Sequence, residues 1–539
     1  MNPPRNTDHN DAFDSDAALE VDPTVAADVE SAPAEAAVEA GIASIGEAFF
    51  AVEAAEDLYN WRVMGVQVWS VMRSRLLKTL MANSGLFASG QGKQVAFYEG
   101  VEQYRGRKPA ILLWRAVRFG WLGPLASWSF GPRKISGAAA HLGEPDYRDL
   151  KSKKAIVVPF ATRDGNEPHI EKFAQPVIDA LGDRGLVLGV GTWDKITNRP
   201  RLEDINGYFN RRWHYPAAVI VRLGVKKADL EKYARVVAAL EAQTGFSLDP
   251  MRTFPRWMLR IFFIQKYGYR KIFKRTSAKY VFAVNAARMP LQAAAQSLGM
   301  KVIEIQSGVF SKYSLQFSWP GSPVIEYIPN EIWTWGDYWT SGIERAGGQS
   351  VRVIGSTEEF ESMRERLHGV TSSTSSDVVA QAPIIRVPGQ IVWLSQPLIG
   401  LDIFKAAVEF AKARPDLNVI FKLHPRNDIA ELKSVKAPAN LTITQFEKSS
   451  LEVIAESEIS VGVFSTALIE AAGLGAKVAI IKLPGWEHLS PLIGGGYASA
   501  FNNAAELVAG LDNLKNPADE YFFYGRRANI QSIVDELIG

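Results

Sequence analysis

The chain has 539 residues, of which 47% are hydrophobic and 22% charged, with a formal net charge of +2 and no cysteine. That composition describes a globular protein with enough apolar material for two or three domains. It excludes disulfides, thiolate metal sites and cysteine nucleophiles, and it fits a reducing compartment. No apolar run reaches the roughly 18 uncharged residues of a membrane span, and the acidic start lacks the basic-then-apolar order of a secretory signal.

Residues 1–45 read as a disordered acidic tail. Positions 1–40 hold ten acids against the single base Arg5, a net of −9, so the remainder carries 2 − (−9) = +11. An Ala/Asp/Glu-rich stretch with almost no aromatic residues cannot bury enough surface to offset its ordering entropy. A solvated extension is expected, with an arm that binds a partner protein as the alternative.

Residues 46–150 form a helical, basic and aromatic N-terminal region. Apolar spacing in "GEAFFAVEAAEDLYNWRVMGVQVWSVMRSRLLKTLMANSGLF" predicts two helices ended near "NSG". No acid occurs from 103 to 143, and segments 104–134 and 252–280 interleave Arg and Lys with Trp, Phe and Tyr. Such segments suit the inner face of an anionic membrane, with rings at the interface and cations at headgroups. Packed helices with solvated cationic faces explain them as well. Nucleic acid is the weakest reading, and no nucleic-acid partner is expected. The chain is therefore expected in the cytoplasm, peripheral at the inner membrane.

From 151 to 367, short apolar runs alternate with helical ones: "KAIVVPF", "PHIEKFAQPVIDALGDRG" as a helix, "LVLGV", "AAVIVRL" as a strand, "KYVFAVN", "ARMPLQAAAQSLGM", "KVIEIQSG", "EIWTWG" and "VRVIGS". A Ser/Thr-rich linker at 368–383 separates a second series over 384–539. It comprises "QIVWLSQ", a helix over 402–413, "NVIFKLHP", "LTITQF", helices over 449–457 and 466–473, and "KVAIIKLP", followed by a closing helix. Strands alternating with helices indicate parallel sheets covered on both faces. The expected fold is α/β, with two Rossmann-like domains facing a cleft. Ligands in such sheets sit at the carboxyl ends of the strands.

Two strand exits stand out. "VIFKLHPRND" places Lys422, His424 and Arg426 alternately at a strand end, and "ISVGVFSTALIE" places Ser465 at a helix N-cap with Thr466 following. Hydroxyls and free N–H groups at a helix start suit an anion, and a histidine beside a leaving phosphate can stabilise developing charge. Ordinary capping and a solvated strand end are the plainer alternatives. Glu470, about one turn into the helix, could reach a ribose hydroxyl. "LPGWEHLSPLIGGGYA" offers Glu487 and His488 toward the same ligand, and Gly494–Gly496 a close turn. The sequence has no phosphate-binding glycine loop and no zinc-protease motif. Its only Asp-x-Asp, Asp14–Asp16, lies in the tail, so no metal or other cofactor is expected.

These residues resemble a family. "K-x-HP" at a strand end, followed some forty residues later by "S-[ST]-x-x-x-E", is similar to bacterial GT-B glycosyltransferases of capsule and surface polysaccharide synthesis. These include the polysialyltransferase-like and capsule-type enzymes and, more distantly, the teichoic-acid glycerophosphotransferases. "AAAQSLGMKVIEIQSGVFSKY", "WTWGDYW" and "VRVIG" resemble further segments of that group, as does "LYNWRVMGVQVWSVMRSRL". The resemblance implies a GT-B fold and transfer of a sugar from a nucleotide-sugar, a CMP-linked donor among those expected, to a glycan or lipid-linked acceptor. His424, Ser465 and Thr466 would bind the donor phosphate, with Lys422, Arg426, Glu470 and Glu487 around the donor. Gln306, Ser307, Gly308 and His169 would lie on the acceptor side. Where relatives read Gln-His-Gly, this chain has Ser307, so the base is sought at Asp164, Glu304, Glu167 or His169. A CDP-linked polyol-phosphate transferase, a nucleotide-sugar epimerase and a catalytically degenerate scaffold remain as alternatives.

Overall fold

Twelve short strands among the described residues, the central ones apolar on both faces, sort into two six-stranded parallel sheets in the computed structural model. The structure describes residues 42–83, 150–159, 162–164, 167–170, 173–189, 202–248, 254–284, 288–369, 382–397, 399–425, 427–515 and 520–539. Residues 1–41 of the acidic tail, the 103–143 stretch, most of the linker and Arg426 lie outside the described residues, as do the side chains of Asp164, Glu167 and His169; the last four tail positions, 42–45, already belong to a helix.

A small antiparallel hairpin, β1 (Arg62–Val63) and β2 (Val66–Gln67), links the N-terminal helices Ile42–Ala55 and Val68–Asn83. The first large sheet uses β3 (Ala155–Val158), β6 (Gly185–Val187), β7 (Tyr280–Val284), β8 (Lys301–Ile305), β9 (Glu331–Thr334) and β10 (Ser350–Val353). Its order is β10-β9-β8-β7-β3-β6, so the winding direction reverses between β3 and β7. Within β3, Ile156 and Val158 face one core while Ala155 and Val157 face another. Burial on both faces is what makes these strands read as continuous apolar runs.

The second sheet uses β11 (Gln390–Leu394), β12 (Asn418–Lys422), β13 (Leu441–Thr444), β14 (Ile459–Gly462), β15 (Lys477–Ile481) and β16 (Ser499–Phe501). Its order is β13-β12-β11-β14-β15-β16, reversing between β11 and β14. The expectation of two α/β domains with parallel sheets is met. The last edge strand, β16, lies beyond the strand taken as final from the sequence.

Two sequence expectations fail. "AAVIVRL" is not a strand but the end of the helix Leu202–Gly224, which carries Pro216 within it. Its burial follows the helical period: Ala217 and Val221 are buried, whereas Ile220 and Leu223 face solvent. Residues 168–170 and 173–174 are not helical. β4 (Thr162–Asp164) and β5 (Glu167–Ile170) pair antiparallel, and the helix starts only at Gln175, with Pro176 in its first turn.

One apolar core crosses from domain to domain. It joins Ile332, Trp335 and Trp339 of the first with Val392, Leu394, Ile454 and Leu468 of the second, through Phe523 and Tyr524. The Phe523 carbonyl accepts from Trp339 Nε1 at 2.6 Å, and the Trp335 carbonyl accepts from the Gly525 N–H at 2.8 Å. A Cβ at Gly336 would sit 2.4 Å from the Phe523 oxygen, so only glycine admits this close crossing. The chain thus returns to the first domain, where Ile530–Ile538 packs with Gln175–Leu181 on the first sheet.

Candidate functional site

In a parallel sheet every strand exits on the same side, so β12, β11 and β14 open onto one rim. Ligands of open α/β sheets bind where the strand order reverses, here between β11 and β14. The structure brings His424 and Ser465 to that rim, with β11 between them. At about 4.8 Å per strand, their backbones leave the sheet roughly 10 Å apart. The β11 exit, Ser395 and Gln396, fills the middle. The Phe464 N–H donates to Gln396 Oε1 at 3.1 Å, and Ser395 Oγ donates to Asn427 Oδ1 at 3.1 Å. The His424 carbonyl accepts from the Asn427 N–H at 2.9 Å and from Gln445 Nε2 at 3.2 Å. These braces fix the turn that carries the partly buried His424 ring. Sequence reasoning missed them, although the dipeptide at the end of "QIVWLSQ" was their signal.

The predicted donor residues take different positions. Ser465 caps the helix Thr466–Gly473 by accepting the Ala467 N–H at 3.3 Å; its own hydroxyl proton can still be donated. Thr466 begins that helix and is partly buried. Lys422 points elsewhere: only 4% exposed, it donates to the carbonyls of Gln445 (2.6 Å) and Lys448. Its ammonium ties down the segment after β13. Glu470 is partly buried on the same helix. Burial, with the Glu470 charge second, holds the Tyr524 phenol well above its ordinary value.

The first domain presents the exit of β8 opposite. Gln306 is fully buried; its Nε2 donates to the Gly308 carbonyl at 3.1 Å, and its Oε1 accepts from the Trp335 N–H at 2.9 Å. Ser307 and Gly308 are partly exposed, and a Cβ at Gly308 would meet nothing within 4 Å. The backbone there borders open space. Glu304 is 1% exposed within β8, inside the sheet instead of on the exit loop.

The two rims meet at one polar contact that the sequence left implicit. Ser311 Oγ lies 2.7 Å from His488 Nδ1, and Ser311 also contacts Ser314. Gly485, at φ +101°, has the Phe464 ring 2.4 Å from where its Cβ would be, so glycine alone lets the Trp486–Leu489 turn pass. His488 keeps some exposed edge, but its ring is enclosed, and this desolvation pushes its pKa down to about 4. It is therefore neutral at neutral pH. Beside it, Glu487 is 8% exposed, and its Oε2 has no hydrogen-bond partner among the described residues. Burial, then Glu47, with Glu487 contributing, raises the Tyr313 phenol.

The N-terminal helices hold this loop in place. Tyr313 OH and Lys312 Nζ reach Glu47 Oε1 at 3.2 and 2.5 Å. Arg73 donates to the Leu315 and Ser318 carbonyls, both at 2.6 Å, and pairs with Glu53, which also accepts from Trp69 (2.7 Å) and Tyr59 (2.6 Å). Both charges of the pair are 1% exposed, and such burial is tolerable only because each has several partners. No described helix is long and apolar enough to cross a membrane.

No family model matches the chain, and no curated protein matches it. Solved structures similar to it include the glycosyltransferase of kitacinnamycin (12% identity, 72% of this chain and 100% of that one, TM-score 0.41). The spinosyn rhamnosyltransferase SpnG gives 12%, 72%, 100% and 0.40 on the same measures. The UDP-GlcNAc 2-epimerase of Methanocaldococcus jannaschii gives 14%, 71%, 99% and 0.39. Likeness at this level extends to neither substrate nor mechanism.

Proposed function

We propose that the protein is a glycosyltransferase that moves a sugar from a nucleotide-sugar to a glycan or lipid-linked acceptor of surface polysaccharide synthesis. The observation that carries this reading is the meeting of two parallel-sheet rims. The exit of β8 touches the turn after β15, next to the β11–β14 reversal of the second sheet. A ligand held at one rim is presented to the other.

In the proposed reaction the acceptor oxygen bonds to the anomeric carbon as that carbon's bond to the nucleotide phosphate breaks. The phosphate leaves with the electron pair. His424 and the Ser465 hydroxyl, with the helix start behind it, meet the charge that grows there; Arg426 would add to that field. The acceptor proton needs a base. Serine at 307 cannot serve unaided, and Glu304 is enclosed in its sheet. Glu487 stands at the meeting of the rims with one uncommitted oxygen, and we assign it this role in place of a donor contact. Its conversion to Gln should lower turnover by about 10²–10⁴-fold while leaving nucleotide binding intact.

The test is a thermal-shift screen against CMP, CDP, UDP, GDP and their sugars. One nucleotide at 100 times its Kd stabilises by about 2.7 kcal/mol, a shift of a few degrees that His424→Ala and Ser465→Ala should reduce. If no nucleotide shifts the native protein, or both variants respond as it does, the donor site is misassigned.

A further inference from the structure

The helices Leu202–Gly224 and Phe254–Phe273 lie side by side on the first sheet. Their inner residues, among them Ile205, Phe209, Ala217, Ile264 and Tyr269, join the core beneath. They run antiparallel: Phe209 packs on Tyr267, and His214 lies 3.3 Å from Arg260. A Cβ at Gly268 would sit 2.6 Å from the Phe209 ring, so the two helices touch closely there. Ile220 and Leu223 therefore emerge toward the start of the second helix.

The outer side of this pair is apolar in the middle and cationic at both ends. Trp213 (37%), Tyr267 (39%), Ile220 (58%) and Leu223 (81%) are exposed, four of the eleven large hydrophobic side chains exposed among the described residues. They form a patch and not a scatter. The Trp213 ring meets Tyr267 at 5.3 Å, and Ile220, seven residues on, returns to the Trp213 side of its helix. On the second helix Lys271 lies over Tyr267 at 5.3 Å. Lys274 continues the same side one turn later, its N–H still donating to the Arg270 carbonyl. Arg256, eleven residues before Tyr267, shares that side too. Arg256, Lys271, Lys274 and Arg275 are all exposed, and Arg256 to Lys274 spans about 27 Å at 1.5 Å per residue.

The charge of the two stretches has one sign by sequence alone. No Asp or Glu occurs from 205 to 224 or from 250 to 303. No ion pair engages Arg256, Lys271, Lys274 or Arg275 among the described residues.

Protruding aliphatic side chains, two rings and a border of long cationic side chains match a bilayer with anionic headgroups. The aliphatic groups enter the acyl boundary, Trp and Tyr sit at headgroup level, and Lys and Arg reach the phosphates. A second copy of the chain would set cation against cation. A nucleic acid would engage the cations and leave Ile220 and Leu223 in water.

We propose that this helix pair lies flat on a bilayer containing anionic phospholipid. Leu223, Ile220 and Trp213 enter the headgroup–acyl boundary, and Arg256, Lys271, Lys274 and Arg275 lie on the headgroups. Neither helix is long and apolar enough to cross. The inference goes beyond the transfer reaction and does not depend on it.

The experiment is flotation of the full chain with vesicles of phosphatidylcholine alone and of phosphatidylcholine mixed with phosphatidylglycerol, at low and high salt. Light scattering of the free protein accompanies it. The native chain should partition onto the anionic vesicles at least tenfold more than onto the neutral ones, and high salt should weaken this. Lys271→Gln and Lys274→Gln should each lower the partition coefficient about fivefold, and Leu223→Glu about tenfold or more. Ile385→Glu, at an equally exposed side chain just before β11, should change nothing. All of these positions are exposed, and unchanged unfolding midpoints establish that the variants fold. The nucleotide-induced thermal shift should be unaltered in each. Undiminished flotation of both Leu223→Glu and the double Lys271→Gln, Lys274→Gln chain overturns the proposal, because another segment would then carry the attachment. Equal partition onto neutral and anionic vesicles overturns it as well. So does a dimer that Leu223→Glu dissolves, or duplex DNA bound by a chain that does not float.

Discussion

The contact between Ser311 and His488 joins the exit of β8 to the turn after β15, and it depends on a neutral imidazole. Desolvation holds His488 near 4 against an ordinary 6.5. Below pH 6.5 the unfolded chain binds a proton that the folded chain refuses. Stability from this group is therefore fully present above pH 6.5 and is lost as the pH falls toward 4. At about 1.4 kcal/mol for each tenfold change, the gap corresponds to roughly 3 kcal/mol, and to about 2 once the ring's exposed edge is allowed for. His488→Gln removes the titration and keeps a polar group for Ser311. Chemical denaturation of both proteins at pH 7.5 and pH 4.5 should show the native chain losing about 2 kcal/mol more than the variant. Parallel losses would show that His488 is not desolvated in the folded protein, and the seam described here would be wrong.

Other perturbations separate structure from ligand binding. Lys422→Met leaves two part-buried carbonyls, of Gln445 and Lys448, without their ammonium, and should cost about 1–2 kcal/mol in denaturation while leaving any nucleotide-induced shift in place. Arg73→Met leaves the Glu53 carboxylate buried without its cation and should cost about 3–5 kcal/mol; the double variant with Glu53→Gln should recover part of that in the same assay. Gly336→Ala forces a methyl against the Phe523 carbonyl and should lower stability by about 1–3 kcal/mol, seen as a lower unfolding midpoint.

The second sheet was legible because its signals are local. Ser465 before an apolar helical period marks the start of the Thr466–Gly473 helix, and the runs at β12, β14 and β15 are bounded by turn residues. "AAVIVRL" misled because a short apolar run reads alike in a strand and a half-buried helix. Only the packing of Ala217 and Val221 inward, with Ile220 outward, decides it. The seam was harder still, since Ser311 and His488 are 177 positions apart. Pairing of that kind arises from the crossing of whole domains, and no window of sequence contains it. The braces at Ser395, Gln396 and Asn427 were missed for a related reason. Uncharged side chains that hold a rim rigid look like loop residues until their partners on neighbouring strands are known.

The same distinction bears on Ser307. Position 307 was where the family resemblance placed a histidine, and serine there raised the question of a degenerate scaffold. The rim does not depend on that side chain: Gln306, through the Gly308 carbonyl and the Trp335 N–H, holds the β8 exit, and Arg73 and Glu47 hold the loop beyond it. An exchange at 307 therefore leaves the architecture standing. A scaffold relieved of catalysis would have no need to keep a carboxylate at the domain seam, because an uncommitted oxygen at Glu487 costs stability wherever no ligand compensates it. If Glu487 accepts the acceptor proton, that cost has a function. Glu487→Leu should then raise stability as it abolishes turnover, whereas in a scaffold it would raise stability and change nothing else.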